Sequence, residues 1–173
     1  MPLDAGMKNQ LILLLAVALL LLCPSLNAWN GSEGDSPAVH MLDSQKDAKI
    51  LDGGKLKIAR PFLKRTPMGV IIDEIEMMII CPLDSDAGSD TALKQKAQEV
   101  LKRYNLVREI DDERSKMDIY IDTPQNDRFS EIILYHTRPE PSIMLFVGNF
   151  TVESLVKVGE VSEQQRKHLK KNK

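Results

Sequence analysis

Four short apolar segments follow one another in the second half of the chain, and residues typical of turns separate them. In the second of these segments, Met117, Ile119 and Ile121 alternate with polar neighbours, which is the pattern of a half-buried strand. Because strands joined by short connections pair in antiparallel fashion, the run predicts an antiparallel meander. The predicted strands are Leu106–Ile110, Lys116–Ile121, Phe129–His136 and Ile143–Val147.

The last of these segments differs from the others because every residue from Ile143 to Val147 is apolar. Such a run indicates a central strand that is covered on both of its faces. After it, Gly148 and Asn149 open a predicted final helix, with Asn149 or Thr151 as its N-cap. The residues expected on the buried side of that helix are Val152, Leu155 and Val156.

The first half of the domain gives less uniform patterns. Lys55–Ala59 alternates apolar residues with lysines, which predicts a strand, and Thr91–Tyr104 has the apolar stripe of an amphipathic helix. Residues 60–66 and the segment that begins at Thr66-Pro67 favour short helices. The stretch Gly69–Cys81 fits both the helical and the strand period, so we assign it as helical at first and as a strand from about Glu76, which Pro82 ends.

The predicted order of elements is therefore β-α-β-α-β-β-β-β-α. Strands in hairpin succession favour a mostly antiparallel sheet, and segregated helices would cover one face of it. The sequence thus predicts an α+β fold in two layers, with a domain that spans residues 50–159.

The N-terminus has the organisation of a secretory signal peptide. Lys8 precedes an uninterrupted apolar run from Leu11 to Leu22, and small and polar residues follow it up to Ala28. A run of 12 residues is short for a membrane span, although a retained anchor is the alternative. We predict removal of residues 1–28 and a periplasmic, cell-surface or extracellular location. Lipid attachment at Cys23 is disfavoured because a bulky Leu22 precedes it.

Two segments flank the predicted domain. Residues 29–49 begin with small, polar, turn-forming residues, so we predict a flexible linker there. Residues 160–173 are rich in cations and poor in apolar residues, which predicts a basic mobile tail that could contact an anionic partner. Its five cations are Arg166, Lys167, Lys170, Lys171 and Lys173.

Five segments of the second half of the chain form a recognisable set of core motifs. They are Tyr104-Asn105-Leu106-Val107, Asp118-Ile119-Tyr120-Ile121, Ser130-Glu131-Ile132-Ile133-Leu134, Met144-Leu145-Phe146-Val147-Gly148-Asn149-Phe150 and Ser154-Leu155. Together these segments resemble small exported Bacteroidetes proteins of unknown function. The resemblance covers about residues 55–158 and implies export and an α+β domain, and it supplies no catalytic residues.

Motifs for catalysis or for cofactor binding are absent from the sequence. There is no Cys-x-x-Cys, His-Glu-x-x-His, Gly-x-Ser-x-Gly or Gly-rich phosphate loop, and the acidic loop that begins at Asp84 lacks the ligands of a calcium loop. Asp73, Glu74 and Glu76 are close in sequence, and His136 is the one histidine inside the predicted domain. We expect no metal and no cofactor.

The net charge of −2 disfavours a nucleic-acid binder. Two cysteines cannot build a disulfide scaffold, and Cys81 is expected to be buried and inert. The leading hypothesis is a non-enzymatic exported domain that binds a protein or an envelope component. The alternative is a hydrolase or a transferase whose site combines His136 with scattered carboxylates.

Overall fold

The computed structural model describes residues 36–83, 89–111, 116–138 and 140–171. Side chains are described for these residues except at positions 67, 89, 90 and 162–171. The predicted signal peptide lies outside this part of the chain, and so do the first residues of the predicted linker.

Four α-helices, one 3-10 turn and six strands make up the described chain. In chain order they are α1 (Pro37–Asp43), β1 (Lys49–Asp52), α2 (Gly53–Leu63), the 3-10 turn (Pro67–Val70), β2 (Ile75–Pro82), α3 (Ser89–Leu101), β3 (Asn105–Asp111), β4 (Lys116–Ile121), β5 (Arg128–Arg138), β6 (Ser142–Thr151) and α4 (Val152–Lys171).

The strands form a single antiparallel sheet in the order β1-β2-β6-β5-β4-β3. β3 to β6 form the predicted meander, and β2 pairs with the free side of β6. The predicted α+β class and the antiparallel sheet are therefore confirmed. β6 lies at the centre of the sheet, as its continuous apolar run indicates.

Helices cover both faces of this sheet. On one face, α2, the 3-10 turn and α4 pack against alternate residues of the central strands, including Met78, Ile132 and Phe146. On the other face, α1 and α3 pack against the intervening residues, among them Ile79 and Leu145. The molecule thus has three layers rather than the predicted two, because the central strands are apolar on both sides and neither side can be left in water.

The predicted linker over residues 29–49 is wrong for its described part. Ser36 begins α1 as an N-cap that accepts a hydrogen bond from the backbone N–H of Val39 at 3.0 Å. The side chains of Ala38, Met41 and Leu42 are buried against the sheet. Residues 49–52 then supply β1, the edge strand beside β2.

The predicted strand at Lys55–Ala59 is also wrong, since these residues lie in α2. Leu56, Ala59 and Leu63 are three and four residues apart and form the buried stripe of that helix. In the next ambiguous stretch, a strand forms from Ile75 to Pro82. It starts one residue before the predicted start, and it includes the proline that was predicted to end it.

The end of the chain differs from the prediction in three respects. β6 continues to Thr151, whose hydroxyl caps α4 by accepting a hydrogen bond from Ser154 N–H at 3.1 Å. Ser154 and Val158 are buried on α4, whereas Val152 and Val156 are exposed. The helix also continues through Lys171, so the backbone of most of the predicted tail is helical.

Candidate functional site

His136 lies on β5, between Met117 of β4 and Ser142 of β6. Burial lowers the pKa of its imidazole below the usual range. Within the described part of the chain, no hydrogen bond joins this ring to a carboxylate or to a hydroxyl. None of the described residues therefore acts as the positioned partner that a general base needs.

The three candidate carboxylates lie at the other end of the sheet. Glu74 immediately precedes β2, whose first residue pairs with Gly148 near the end of β6, whereas His136 pairs with Ser142 at the start of β6. Six residues of extended strand separate these two positions on β6, a distance of about 20 Å. The structure does not bring His136 and these carboxylates together.

Glu74 is instead part of a polar network that attaches α4 to the sheet. Its Oε1 accepts a hydrogen bond from the Ser154 hydroxyl at 2.7 Å, and the Ser154 and Thr151 hydroxyl oxygens are 2.7 Å apart. The backbone carbonyl of Glu74 accepts from Asn149 N–H at 3.2 Å. Asp73 and Glu76 are exposed and take no part in this network. The cluster thus orients the beginning of α4, which is a structural role.

A second polar pair lies on the opposite face of the sheet. The hydroxyl of Tyr104, just after α3, donates to Glu131 Oε2 of β5 at 2.5 Å. Glu131 is buried, and its backbone N–H donates to Asp122 Oδ1 at 2.8 Å. The pKa of the Tyr104 hydroxyl is raised, mainly by burial and to a smaller extent by the neighbouring Glu131 carboxylate.

Tyr104→Phe should lower the free energy of unfolding at pH 8 by about 1–3 kcal/mol, because the buried Glu131 loses its donor. Above about pH 10 the unfolded tyrosine releases its proton while the folded one keeps it. The stability contributed by Tyr104 is therefore complete below pH 10 and is lost as the pH rises, by at most about 1.4 kcal/mol per unit.

Urea unfolding at pH 8 and at pH 11 measures this difference. The wild type should lose more stability between the two values than Tyr104→Phe does, so the gap between the two proteins should narrow. If the difference in unfolding free energy between the two proteins is the same at pH 8 and at pH 11, the Tyr104 proton is not linked to folding.

Cys81 is buried on β2, in agreement with the prediction, and its thiol donates to the Pro82 carbonyl at 3.7 Å. Among the described residues, no group of three His, Cys, Asp or Glu side chains could hold a metal ion. The acidic loop that begins at Asp84 falls outside the described part.

The cations of the predicted tail cannot be placed as a site. The backbone around Arg166, Lys167, Lys170 and Lys171 is helical, but these side chains lie outside the described set, and so does the whole of Lys173. Their contact with an anionic partner stays a prediction.

A different cationic surface is formed by α2 and the two residues that follow it. This segment contains five cations and no anion. The cations are Lys55, Lys57, Arg60, Lys64 and Arg65.

Arg60 differs from the other four cations because it is attached to the body of the protein. Its guanidinium lies 3.6 Å from the Asp73 carboxylate and donates to the Ile75 carbonyl at 3.4 Å. Lys57, Lys64 and Arg65 are exposed, and no described residue forms an ion pair with any of them. Their charges are therefore available to a partner outside the described chain.

The same surface contains exposed apolar side chains. Ile58 is 62% exposed and Phe62 is 38% exposed, and the exposed ring of Pro61 lies between them. At 3.6 residues per turn, Ile58 and Pro61 project away from the buried stripe of the helix, and Phe62 lies at their flank. We call the surface formed by Lys57, Ile58, Pro61, Phe62, Lys64 and Arg65 the α2 face.

The sequence prediction missed this surface because the alternation of Leu56 and Ile58 was interpreted as one side of a strand. In the helix these two side chains point in different directions, and only Leu56 is buried. The signal that could have found the surface is the spacing of Leu56, Ala59 and Leu63, together with five cations in a segment without an anion.

Comparison of the chain with family models, with curated proteins and with solved structures gave no match. The resemblance to exported Bacteroidetes proteins therefore stays a prediction, and the functional argument depends on the surface itself.

Proposed function

We propose that this protein is an exported, non-enzymatic domain that binds an anionic component of the cell envelope through the α2 face. The observation that carries the proposal is the combination of three exposed cations without ion-pair partners in the described chain and two exposed large apolar side chains on one short helix. Export is supported by the signal-peptide pattern of residues 1–28.

Binding is favoured over catalysis by the arrangement of the titratable groups. The alternative needs His136 and a carboxylate in one site, and about 20 Å of strand separates His136 from the residues beside Glu74. The Glu74 carboxylate accepts a hydrogen bond from the Ser154 hydroxyl through its Oε1 atom.

None of the helices within the described residues is long and apolar enough to cross a membrane. The proposed interaction takes place at the surface of this domain. Cations at the surface attract anionic partners over roughly a Debye length, about 8 Å at physiological salt.

The basic C-terminal segment is assigned a supporting role in this proposal. It continues α4, which contacts the 3-10 turn that follows α2, so both helices belong to the same layer. Arg166, Lys167, Lys170, Lys171 and Lys173 would add long-range attraction to the same class of partner.

Reversal of two charges on the α2 face, Lys57→Glu with Lys64→Glu, should weaken binding to a soluble polyanion by at least tenfold at low salt. Immobilised inorganic polyphosphate is a suitable probe, and the difference between the proteins should shrink as salt is raised from about 50 to 500 mM, because screening removes the attraction. Deletion of residues 164–173 should weaken binding in the same direction.

The matched control is Lys96→Glu with Lys102→Glu. These exposed lysines lie on α3 and just after it, on the opposite side of the sheet, and their reversal changes the net charge by the same amount. Equal losses in the two variants would show an effect of net charge alone, and unchanged binding in the α2 variant would contradict the proposal.

A further inference from the structure

The outward side of α2 contains apolar side chains although the helix is rich in cations. Leu56, Ala59 and Leu63 face the sheet, while Ile58 and Pro61 project outward and Phe62 lies beside them. Lys57 and Lys64 lie along the other flank of this line, and Arg65 follows the end of the helix. An approaching partner thus meets apolar side chains on one side of Pro61 and cations on its other side.

A purely electrostatic partner gives no reason for this arrangement. Exposed isoleucine and phenylalanine gain nothing from a hydrated polyanion, and a binding site for one would place the cations outermost. An anionic bilayer suits both parts of the surface, because apolar side chains enter the boundary between headgroups and acyl chains while cations contact the phosphates. The long stems of lysine and arginine allow their charges to stay at headgroup level as the helix approaches.

We propose that α2 lies in the surface of an anionic lipid bilayer, with Ile58 and Phe62 inserted and Lys57, Lys64 and Arg65 on the headgroups. This inference rests on the proposed function and names its partner as a lipid surface. α2 can act as a rigid platform because its buried stripe packs on β1 and β2, so the helix does not have to fold when it binds.

The test uses vesicles of phosphatidylcholine with about 30% phosphatidylglycerol, compared with vesicles of phosphatidylcholine alone. The wild type should sediment with the anionic vesicles only. Ile58→Ser with Phe62→Ser should lower the partition coefficient at least tenfold and leave polyphosphate binding unchanged. Lys57→Glu with Lys64→Glu should lower both.

The matched control is Leu106→Ser with Val107→Ser on the edge strand β3. These side chains are 47% and 41% exposed, against 62% and 38% for Ile58 and Phe62, and they lie on an edge strand rather than on a cationic helix. This variant should bind vesicles as the wild type does. Thermal melts of both variants should match that of the wild type, since all four side chains are exposed.

A tryptophan reporter shows where the helix lies. The chain contains a single tryptophan, so Trp29→Phe with Phe62→Trp has one reporter on the α2 face. Its emission should shift to shorter wavelength on anionic vesicles, and lipids brominated on their acyl chains should quench it. The same reporter at Leu106, in Trp29→Phe with Leu106→Trp, should show neither change.

The outcomes separate the two proposals. Binding to polyphosphate without binding to anionic vesicles would overturn the lipid inference and leave an anionic polysaccharide or protein as the partner. The same conclusion follows if vesicle binding is insensitive to Ile58→Ser with Phe62→Ser and the reporter is not quenched. Failure to bind either probe would overturn the proposed function itself.

Discussion

Leu145→Ala should lower the free energy of unfolding by about 2–5 kcal/mol. Leu145 is 0% exposed at the centre of β6 and is opposite Ile79 of β2 and Ile133 of β5. Truncation removes apolar surface from the core and leaves a cavity. The cavity cannot readily close, because β6 is paired with a strand on each side. Urea unfolding followed by circular dichroism measures the loss.

Leu106→Ala is the matched control for this prediction. It removes the same atoms from a leucine that is 47% exposed on the edge strand β3, so its cost should stay within about 0.5 kcal/mol. A cost for Leu145→Ala as small as that of the control would mean that β6 is not the central strand of the folded protein.

Gly148→Ala should destabilise the protein by about 1–3 kcal/mol or more, through overpacking rather than through a cavity. A Cβ at this position would lie 2.0 Å from the backbone carbonyl oxygen of Glu74 and 3.0 Å from the ring of Phe150. The carbonyl cannot easily move away, because it accepts a hydrogen bond from Asn149 N–H and precedes the first paired residue of β2. Strand β2 or the start of α4 has to shift.

The control for this glycine is Gly54→Ala in the first turn of α2. No atom lies within 4 Å of a Cβ built at Gly54, and alanine is the better helix former, so stability should stay the same or rise. Chemical unfolding of both variants gives the comparison. Equal effects at the two positions would contradict the close contact between Gly148 and Glu74.

Strands β3 and β4 of the meander were predicted with nearly correct bounds because their pattern is local. Lys116–Ile121 alternates polar and apolar side chains over six residues, and the structure has a strand with the same bounds. β5 and β6 extend beyond their predicted ends, since strand pairing continues through polar residues such as Ser142 and Thr151 that carry no apolar signal.

The predictions of secondary structure were wrong mainly where a short segment fits both the strand period and the helix period. Five residues at Lys55–Ala59 alternate well enough for a strand, but Leu56, Ala59 and Leu63 can all be buried only in a helix. The edge of the sheet beside β2 is meanwhile occupied by Lys49–Asp52, a segment for which no strand was predicted. A capping serine followed by proline at positions 36 and 37 is the signal that would have revealed α1.

The number of layers in the fold is the clearest example of a property that local sequence patterns do not determine. The continuous apolar run Ile143–Val147 already requires cover on both faces of its strand, yet it does not say which helices supply that cover. Even a helix with a clear apolar stripe, such as α3, gives no indication of which face of the sheet it will bury.

Periodicity in the sequence was sufficient for the α+β class, the antiparallel meander and the central position of β6, because side-chain alternation within a strand is a property of neighbouring residues. The tertiary structure alone established the pairing of Glu74 with Ser154, 80 residues apart, and the exposure of Ile58 and Phe62 on α2. The physical reason is that burial depends on which surfaces meet in three dimensions. Because Leu56, Ala59 and Leu63 are the side chains of α2 that pack on the sheet, the other apolar side chains of this helix are exposed to solvent.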